Sequence, residues 1–443
     1  MSTSHPCGPF RQCIAVRRAA DRVTIALFLA AIGLPLCFVR GRRAESVIER
    51  IELRRAAAFP EVEWRRLGPL SRPKKRSVDA FPRAFEAWFN DHLGFRRQFI
   101  RGYNLAKVWG LTSENYGRPV VGQAPRSPVI VGREGWLFYS GDRLVEDYRS
   151  TCPFSRDELQ CWRTVLEERR RWLAERGIAY VVMVAPNQQT IYGEYLPRSM
   201  NRVRDESRLD QLVAFLREND SLEILDVRGA LLAAKSQHRV YHKTDTHWND
   251  FGAFIGYQQL MQRLRGWFPE AEPMPLADFE VRTVDHEGYL LATLLDSPAP
   301  LREELINLVW KRPPLAGTEA TGTTSEGYPM LRSTQPRAPL ASAVVIHDSF
   351  YQAMAPYLHE HFRSVQCVLT YEFPTAIIEA ERPRVVIQEF VERYLMNHPP
   401  SNPPELKQRR ASVASGVQSV RLSGGRTPTG RTIDSTAPTR IPR

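Results

Sequence analysis

Residues 177–186 read Gly-Ile-Ala-Tyr-Val-Val-Met-Val-Ala-Pro, and this stretch decides the fold class. Its apolar part, 179–185, is too short for an ordinary helix and is bounded by a glycine and a proline. A continuous apolar run of this length is typical of a parallel strand that is buried on both faces of a sheet. We therefore expect helices on both sides of a mainly parallel sheet, which is a three-layer α/β domain.

The same alternation of strands and helices continues along the chain. Apolar runs predict further strands at 222–227, 344–346, 365–369 and 385–390. Amphipathic periodicity predicts helices at 158–177, 209–218, 251–267 and 351–362. A glycine-rich turn predicts a hairpin over 127–139. Loops beyond the carboxyl ends of the parallel strands are the expected place for a functional site.

The amino-terminal part is organised around an apolar segment without charges. Residues 23–39 are seventeen uncharged residues with arginines on both sides. That length is near the minimum for a membrane-spanning helix and also overlaps a signal-peptide core. No small-residue cleavage pattern precedes the next arginines, which favours an uncleaved anchor over a cleaved signal peptide. We predict a basic leader and anchor at 1–43, a stalk at 44–80 and a globular domain at 81–396.

The chain of 443 residues has a net charge of +12, but this charge is unevenly placed. Half of it lies in 397–443, a segment rich in Pro, Ser, Thr and Gly that is expected to be a disordered tail. Much of the remainder flanks the apolar segment, where it suits anionic lipid headgroups. No nucleic-acid-binding motif accompanies it, so no nucleic-acid partner is predicted. Residues 313–339 are also rich in Pro, Gly, Thr and Ser and are expected to form a long loop or insertion.

Two short segments supply the groups needed for nucleophilic catalysis. Residues 244–249 read Thr-Asp-Thr-His-Trp-Asn, and residues 344–350 read Val-Val-Ile-His-Asp-Ser-Phe. Asp245 can orient the His247 ring, and His247 can accept the proton of Ser349, which makes the serine an acyl-accepting nucleophile. Taken singly, each segment leaves a structural role open, because aspartate and serine are also common helix N-caps.

Cysteine and histidine spacing predicts neither a metal site nor a bound cofactor. None of the six cysteines forms a CxxC pair, and His242 lacks the HxH or HExxH spacing of a zinc site. There is no P-loop and no GxGxxG motif for a nucleotide. Cys152 and Cys161 either form a disulfide or stay free, and Cys367 is expected to be a buried free thiol in a strand.

Several segments, in the right order, make this sequence similar to the alginate O-acetyltransferase proteins with an SGNH-hydrolase-like domain, periplasmic enzymes of exopolysaccharide acetylation. The resemblance covers roughly residues 81–395. Its segments are Phe81–Arg96, Gly132–Tyr139, Ala185–Tyr192, Thr244–Asn249, Asp348–Phe350 and Val385–Tyr394. Two positions depart from the family pattern, since His347 stands where glycine is usual and Gln188 where lysine is usual.

The resemblance implies a ping-pong acetyl transfer. Ser349 takes the acetyl group as an ester, and His247, oriented by Asp245, activates the serine and then a sugar hydroxyl. The acceptor is a polysaccharide, and a separate multi-pass membrane acyltransferase supplies the acetyl group. The expected location is the inner membrane, with the catalytic domain in the periplasm.

The resemblance also assigns roles around the triad. Asn187 and the backbone N–H of Ser349 are the candidate oxyanion donors. Tyr351, Arg393 and Trp248 are the candidates for lining the sugar groove, although each also suits a structural role.

Two other functions stay open at this point. An esterase or deacetylase would use the same three residues, with water in place of the sugar hydroxyl. A non-catalytic polysaccharide-assembly protein would need none of them.

Overall fold

The computed structural model describes residues 102, 106, 128–219, 222–295, 299–404 and 406. The predicted leader, anchor and stalk lie outside these residues, as do the segment 81–96 and the chain from 407 onward. Among the helices of the described part, none is both long and apolar enough to cross a membrane. Nearly all described residues fall within one unit, formed from 116–292 and 299–443.

The described elements alternate between strands and helices over most of their length. The strands are β1 Val129–Val131, β2 Leu137–Tyr139, β3 Ala179–Ala185, β4 Ile224–Asp226, β5 Phe279–His286, β6 Glu303–Trp310, β7 Gly317–Thr323, β8 Pro329–Thr334, β9 Leu340–His347, β10 Phe362–Leu369 and β11 Val385–Val391. The α-helices are α1 Leu144–Tyr148, α2 Arg156–Ala174, α3 Gln188–Tyr192, α4 Arg208–Glu218, α5 Arg228–Ala234, α6 Asp250–Leu264, α7 Leu290–Leu294, α8 Tyr351–His359, α9 Thr375–Glu381 and α10 Tyr394–Asn397.

The main sheet has the strand order β4-β3-β11-β9-β10-β8-β7. Its first five strands are parallel, so the predicted mainly parallel sheet is confirmed. The apolar run that predicted β3 begins and ends at the expected residues. The carboxyl ends of β3, β9, β10 and β11 meet at one edge, which therefore collects the loops that follow these strands.

Two hydrophobic cores lie on opposite faces of this sheet. Along β3, Val181 and Met183 contribute to one core, while Val182 and Val184 contribute to the other. The first core packs against α6 and α8, and the second packs against α2 and α4. The layers are therefore helix, sheet and helix, which is the three-layer α/β architecture predicted for the domain.

Residues 313–339 do not form the predicted loop. They contain β7 and β8, a hairpin that pairs antiparallel with β10 and extends the edge of the main sheet. Every residue of β7 is exposed, so this strand has no buried face to leave an apolar alternation in the sequence. A second hairpin, β5–β6, was also not predicted, and β5 is exposed along most of its length.

The chain continues to pack after residue 396, so the predicted start of the tail at 397 is too early. Asn402 is buried, and its amide donates to the Val165 carbonyl and the Glu168 carboxylate of α2. The Arg169 guanidinium donates to the Asn402 side chain at 2.8 Å. Proline and asparagine are typical of disordered segments, but here they hold the chain against α2.

The three cysteines in the described residues are free. Cys152 and Cys161 do not form a disulfide, so the predicted alternative of two free thiols is the one observed. Cys367 is buried on β10, where its sulfur lies 3.4 Å from His359 Nε2. Burial raises the pKa of the Cys367 thiol to about 12, as expected for a packed thiol that stays protonated.

Candidate active site

Ser349 lies in the short turn between β9 and α8, at the carboxyl edge of the main sheet. Strand β9 is central, with β11 on one side and β10 on the other. The serine is half-buried, and it comes just before the amino end of α8. The N–H groups and the dipole of a helix amino end favour negative charge, which is the charge an attacked acyl carbonyl develops.

The histidine and the aspartate come from the loop that leads into α6. The bridge between Tyr241 and Trp248 closes this loop on itself. Asn249 is the N-cap of α6, because its Oδ1 accepts a hydrogen bond from the Gly252 N–H at 2.9 Å. Asp245 is thus not the cap of that helix, and its carboxylate is free to face the histidine.

Asp245, His247 and Ser349 form a continuous hydrogen-bonded row. His247 Nδ1 lies 2.7 Å from Asp245 Oδ1, and His247 Nε2 lies 2.8 Å from Ser349 Oγ. An acceptor at Nδ1 places the ring proton there, so that Nε2 is free to accept the serine proton. The His247 side chain is 29% exposed, so a substrate can reach the row from solvent.

The Asp245 carboxylate is held in place by its own loop. Its Oδ1 accepts from the Thr246 and His247 backbone N–H groups at 2.6 and 3.1 Å. Burial raises the pKa of this carboxyl, but the hydrogen bonds and charge of His247 outweigh it, and the net shift is downward. An ionised Asp245 can stabilise the imidazolium that forms when His247 takes a proton.

Glu303 of β6 anchors the same loop, a role that was not predicted from the sequence. Its buried carboxylate accepts from the Lys243 N–H at 2.7 Å, from the Thr244 N–H at 3.2 Å and from the Thr244 hydroxyl at 2.5 Å. The Arg239 guanidinium pairs with it at 3.3 Å. A single acidic residue in an unrecognised edge strand has no local pattern that distinguishes it from a surface charge.

Trp248 connects the histidine loop to the serine turn. Its indole N–H donates to the Phe350 carbonyl at 2.9 Å, and the two rings meet edge to face. Trp248 is only 1% exposed, so it lies in the core and does not line a sugar groove. The indole reaches from the histidine loop to the serine turn, and it is buried because it lies between them.

The other predicted residues lie in different surroundings. Tyr351 is 1% exposed, and its hydroxyl lies 3.1 Å from His359 Nε2, so it too is a core residue and not a groove residue. Arg393 is at the edge of the site, with its guanidinium 5.6 Å from the centre of the Phe350 ring and 3.5 Å from Asp142. It is the one predicted groove residue that keeps contact with the surface.

Asn187 follows β3, and its side chain is buried. Its Nδ2 donates to Asp147 Oδ2 at 2.8 Å, and its backbone N–H donates to Glu392 at 2.9 Å. Its Oδ1 has no hydrogen-bond partner in the described part of the chain. One of its two amide N–H groups is thereby committed to Asp147, and the oxyanion role of Asn187 stays a prediction.

The two departures from the family pattern are both buried. His347 donates from Nδ1 to the Asp348 carbonyl at 2.7 Å, and burial lowers its pKa. Gln188 donates from its side chain to the His242 carbonyl at 2.8 Å. Both side chains therefore stabilise loops beside the triad. Among the described residues, no group of three or more His, Cys, Asp or Glu side chains is arranged to hold a metal ion.

Comparison with known proteins identifies similar sequences. Residues 129–312 match the family model described as "SGNH hydrolase-like domain, acetyltransferase AlgX". The probable alginate O-acetylase AlgJ of Pseudomonas aeruginosa is 26% identical over 364 residues, which are 77% of this chain and 85% of that protein. The protein of the same name from Pseudomonas syringae pv. tomato is 24% identical over 332 residues, covering 71% and 78% of the two chains.

Solved structures include two similar domains. The O-acetyltransferase domain of Pseudomonas putida AlgJ is 20% identical, with a TM-score of 0.43, and the match covers 65% of this chain and 99% of that one. Bacillus cereus PatB1 with a sulfonyl adduct is 15% identical, with a TM-score of 0.46, and the match covers 60% and 94%.

The resemblance to the alginate O-acetyltransferase family is confirmed by the family model and by the sequence relatives. The α/β domain with its mostly parallel sheet is SGNH-hydrolase-like. The residues matched by the family model include Asn187, Asp245 and His247 but end before Ser349. The assignment of the serine therefore depends on its distance from His247.

Proposed function

We propose that this chain is an O-acetyltransferase that moves an acetyl group, by way of Ser349, to a hydroxyl of a polysaccharide. The observation that carries the proposal is the row from Asp245 through His247 to Ser349, with contacts of 2.7 and 2.8 Å. The similarity to probable alginate O-acetylases supports acetyl as the transferred group and a polysaccharide as the acceptor. Serine dependence and the order of steps come from the chemistry of the three side chains.

In the first half-reaction, His247 Nε2 takes the Ser349 proton as the serine oxygen attacks the acetyl carbonyl of the donor. The carbonyl oxygen becomes negatively charged beside the Ser349 N–H and the amino end of α8, which stabilise it. When the tetrahedral intermediate collapses, the donor leaves with the proton that His247 carried. The acetyl group remains on Ser349 as an ester.

In the second half-reaction, the acceptor hydroxyl takes the place of the departed donor. His247 removes its proton, the sugar oxygen attacks the acetyl ester, and Ser349 leaves with the proton returned by His247. Asp245 stays ionised and stabilises the imidazolium in both halves. Arg393, at the edge of the site, is the described cation best placed to meet polar groups of the acceptor.

We also propose where the reaction takes place and what supplies it. Residues 23–39 anchor the chain in the inner membrane, and the domain works in the periplasm. A multi-pass membrane acyltransferase delivers the acetyl group, which agrees with the lack of a nucleotide-binding motif in the sequence. A carboxyl-terminal alkaline phosphatase fusion should be active in cells. Deleting residues 23–39 should release the chain from the membrane fraction. An inactive fusion would contradict the periplasmic location.

The test of the activity uses the purified full-length chain in detergent, with 4-nitrophenyl acetate as the donor and an alginate oligosaccharide as the acceptor. We expect acetylated oligosaccharide and a trapped acetyl group on the Ser349 peptide, both detected by mass spectrometry. Ser349→Ala should lower the rate at least about 10³-fold. Ser325→Ala changes an exposed serine on the β7–β8 turn and should have no effect.

The outcomes separate the three functions. If added sugar does not change the rate of acetate release and no acetylated sugar forms, the chain is an esterase and not a transferase. Full activity of purified Ser349→Ala would contradict a serine-dependent enzyme. A purified chain without activity, together with cell-surface acetylation that Ser349→Ala leaves unchanged, would favour an assembly protein.

A further inference from the structure

Glu389 of β11 and Asp348 of the serine turn are two buried acids in direct contact. Glu389 is 2% exposed, and its Oε2 accepts from the Asp348 backbone N–H at 3.3 Å. Both carboxyl groups are buried, and the Asp348 charge raises the pKa of Glu389. Two carboxyl groups this close in the interior are unfavourable when both are ionised, so one of them should carry a proton.

The surrounding donors identify which acid is charged. Asp348 accepts on both oxygens, from the Phe350 N–H at 2.8 Å and from the Val391 N–H at 2.7 Å. Glu389 has a donor only on Oε2, and its Oε1 has no hydrogen-bond partner among the described residues. A buried carboxylate needs donors on its oxygens, so Glu389 is the acid of the pair that keeps its proton.

Asp348 is placed where it controls the serine. Its Oδ1 binds the N–H of the residue after Ser349, and its Oδ2 binds the last residue of β11. The carboxylate therefore fastens the serine turn to the neighbouring strand. Whatever holds Asp348 in this position also sets the direction of the Ser349 side chain toward His247.

We infer that Glu389, in its protonated form, is a positioning residue for the serine nucleophile. In this inference the Glu389 carboxylic acid donates its proton to the Asp348 carboxylate and accepts from the Asp348 N–H. Glu389 would thereby hold both the side chain and the backbone of Asp348. The inference rests on the proposed serine chemistry. It adds a residue that lies on β11, some forty residues beyond the serine, and that does not itself touch the substrate.

Loss of the Glu389 proton would place two negative charges side by side in the interior. Burial raises the pKa of Glu389, and the charge of Asp348 raises it further, while the Asp348 N–H and Arg393 lower it by less. The Glu389 charge also acts on three tyrosines of different segments, Tyr241, Tyr351 and Tyr371. Burial raises the pKa of all three above the ordinary tyrosine value.

The experiment measures the rate at which phenylmethylsulfonyl fluoride modifies Ser349 in the full-length chain. This reagent reports on the serine without any acceptor or natural donor. Glu389→Ala should lower the labelling rate and the kcat for 4-nitrophenyl acetate about 10–100-fold. Glu389→Gln should stay within about threefold of the parent, because its amide still donates to Asp348 and accepts from the N–H. Glu372→Gln, an exposed neighbour after β10, is the matched control and should change nothing.

The pH profile adds a second readout. Labelling of the parent should decline on the alkaline side as Glu389 ionises, and Glu389→Gln should abolish that decline because an amide does not titrate. An alanine variant labelled at the parent rate would overturn the inference. So would a glutamine variant as slow as alanine while its thermal unfolding is normal, or an alkaline decline that glutamine leaves unchanged. A parent chain that the reagent does not label at all would instead overturn the proposed serine chemistry.

Discussion

Asp245 is held by hydrogen bonds on both of its carboxylate oxygens. One carboxylate oxygen, Oδ1, receives the His247 ring N–H and two backbone N–H groups of the same loop. The other oxygen, Oδ2, lies 3.4 Å from the Leu290 N–H. The backbone N–H groups thus hold the Asp245 carboxylate in place, and the carboxylate in turn holds the His247 ring. Such an arrangement selects one imidazole tautomer at no further entropic cost during the reaction.

Replacing Asp245 with Asn should keep the fold and remove most of the activity. The amide offers an N–H in place of a second acceptor and can no longer stabilise an imidazolium, so kcat for 4-nitrophenyl acetate should fall about 10³–10⁴-fold. Circular dichroism and steady-state kinetics give the two readouts. Asp285→Asn is the control, because Asp285 is an exposed aspartate paired with Arg302. Activity within tenfold of the parent would show that Asp245 does not orient the base.

At the scale of the element, α6 begins at a cap that is separate from the chemistry. Asn249 is buried, accepts from the Gly252 N–H at 2.9 Å and donates to the Arg239 carbonyl at 2.6 Å. It satisfies one free N–H at the start of the helix and closes the loop that carries His247. The cap stabilises α6, while Asp245, four residues earlier, is hydrogen-bonded to the His247 ring.

Asn249→Ala should therefore lower stability more than catalysis. The lost cap and the unpaired Arg239 carbonyl should reduce the free energy of unfolding by about 1–2 kcal/mol, measured by urea denaturation. The kcat of the folded fraction should stay close to that of the parent. Asn249→Asp keeps the cap acceptor and should restore part of the loss. A collapse of kcat at unchanged stability would mean that the cap residue acts in the chemistry.

The elements that the sequence predicted are those with a buried face. Strand β3 was predicted to the residue, and β11 to within one residue at its end, because burial on both faces leaves an unbroken apolar run. The hairpins β5–β6 and β7–β8 were missed because exposed edge strands carry Thr, Gly and charged residues that are typical of loops. Strand β7 is held by backbone pairing with β8, and backbone pairing leaves little trace in side-chain type.

At the scale of the whole molecule, the sequence predicted the triad but not its supports. The Asp245, His247 and Ser349 segments were recognisable because each combines a reactive residue with a local pattern. Glu303 and Glu389 were not recognised, since each reaches its partner only after β6 and β11 have packed beside the site. Trp248 was a groove candidate with a structural role left open, because a sequence does not show which side of a loop faces the core.

Two buried histidines give the whole domain a specific response to acid. Burial lowers the pKa of His359 and of His361 to about 4 each, and the His361 ring contacts the Tyr257 hydroxyl of α6. In the unfolded chain both rings titrate near 6.5. Above that pH neither state binds these protons. Between about 6.5 and 4 the unfolded chain binds them and the folded chain does not, so stability falls as the pH falls.

We therefore expect the free energy of unfolding to drop between pH 7 and pH 5 by about 2 kcal/mol for each of these histidines. Urea denaturation at the two pH values measures the drop. His361→Gln should reduce the drop by about 2 kcal/mol, because glutamine keeps a polar contact for Tyr257 and does not titrate. His286→Gln, at an exposed histidine, should leave the pH dependence intact. An unchanged pH dependence in His361→Gln would mean that His361 is already protonated in the folded domain, and that α6 and the segment after α8 tolerate a buried charge.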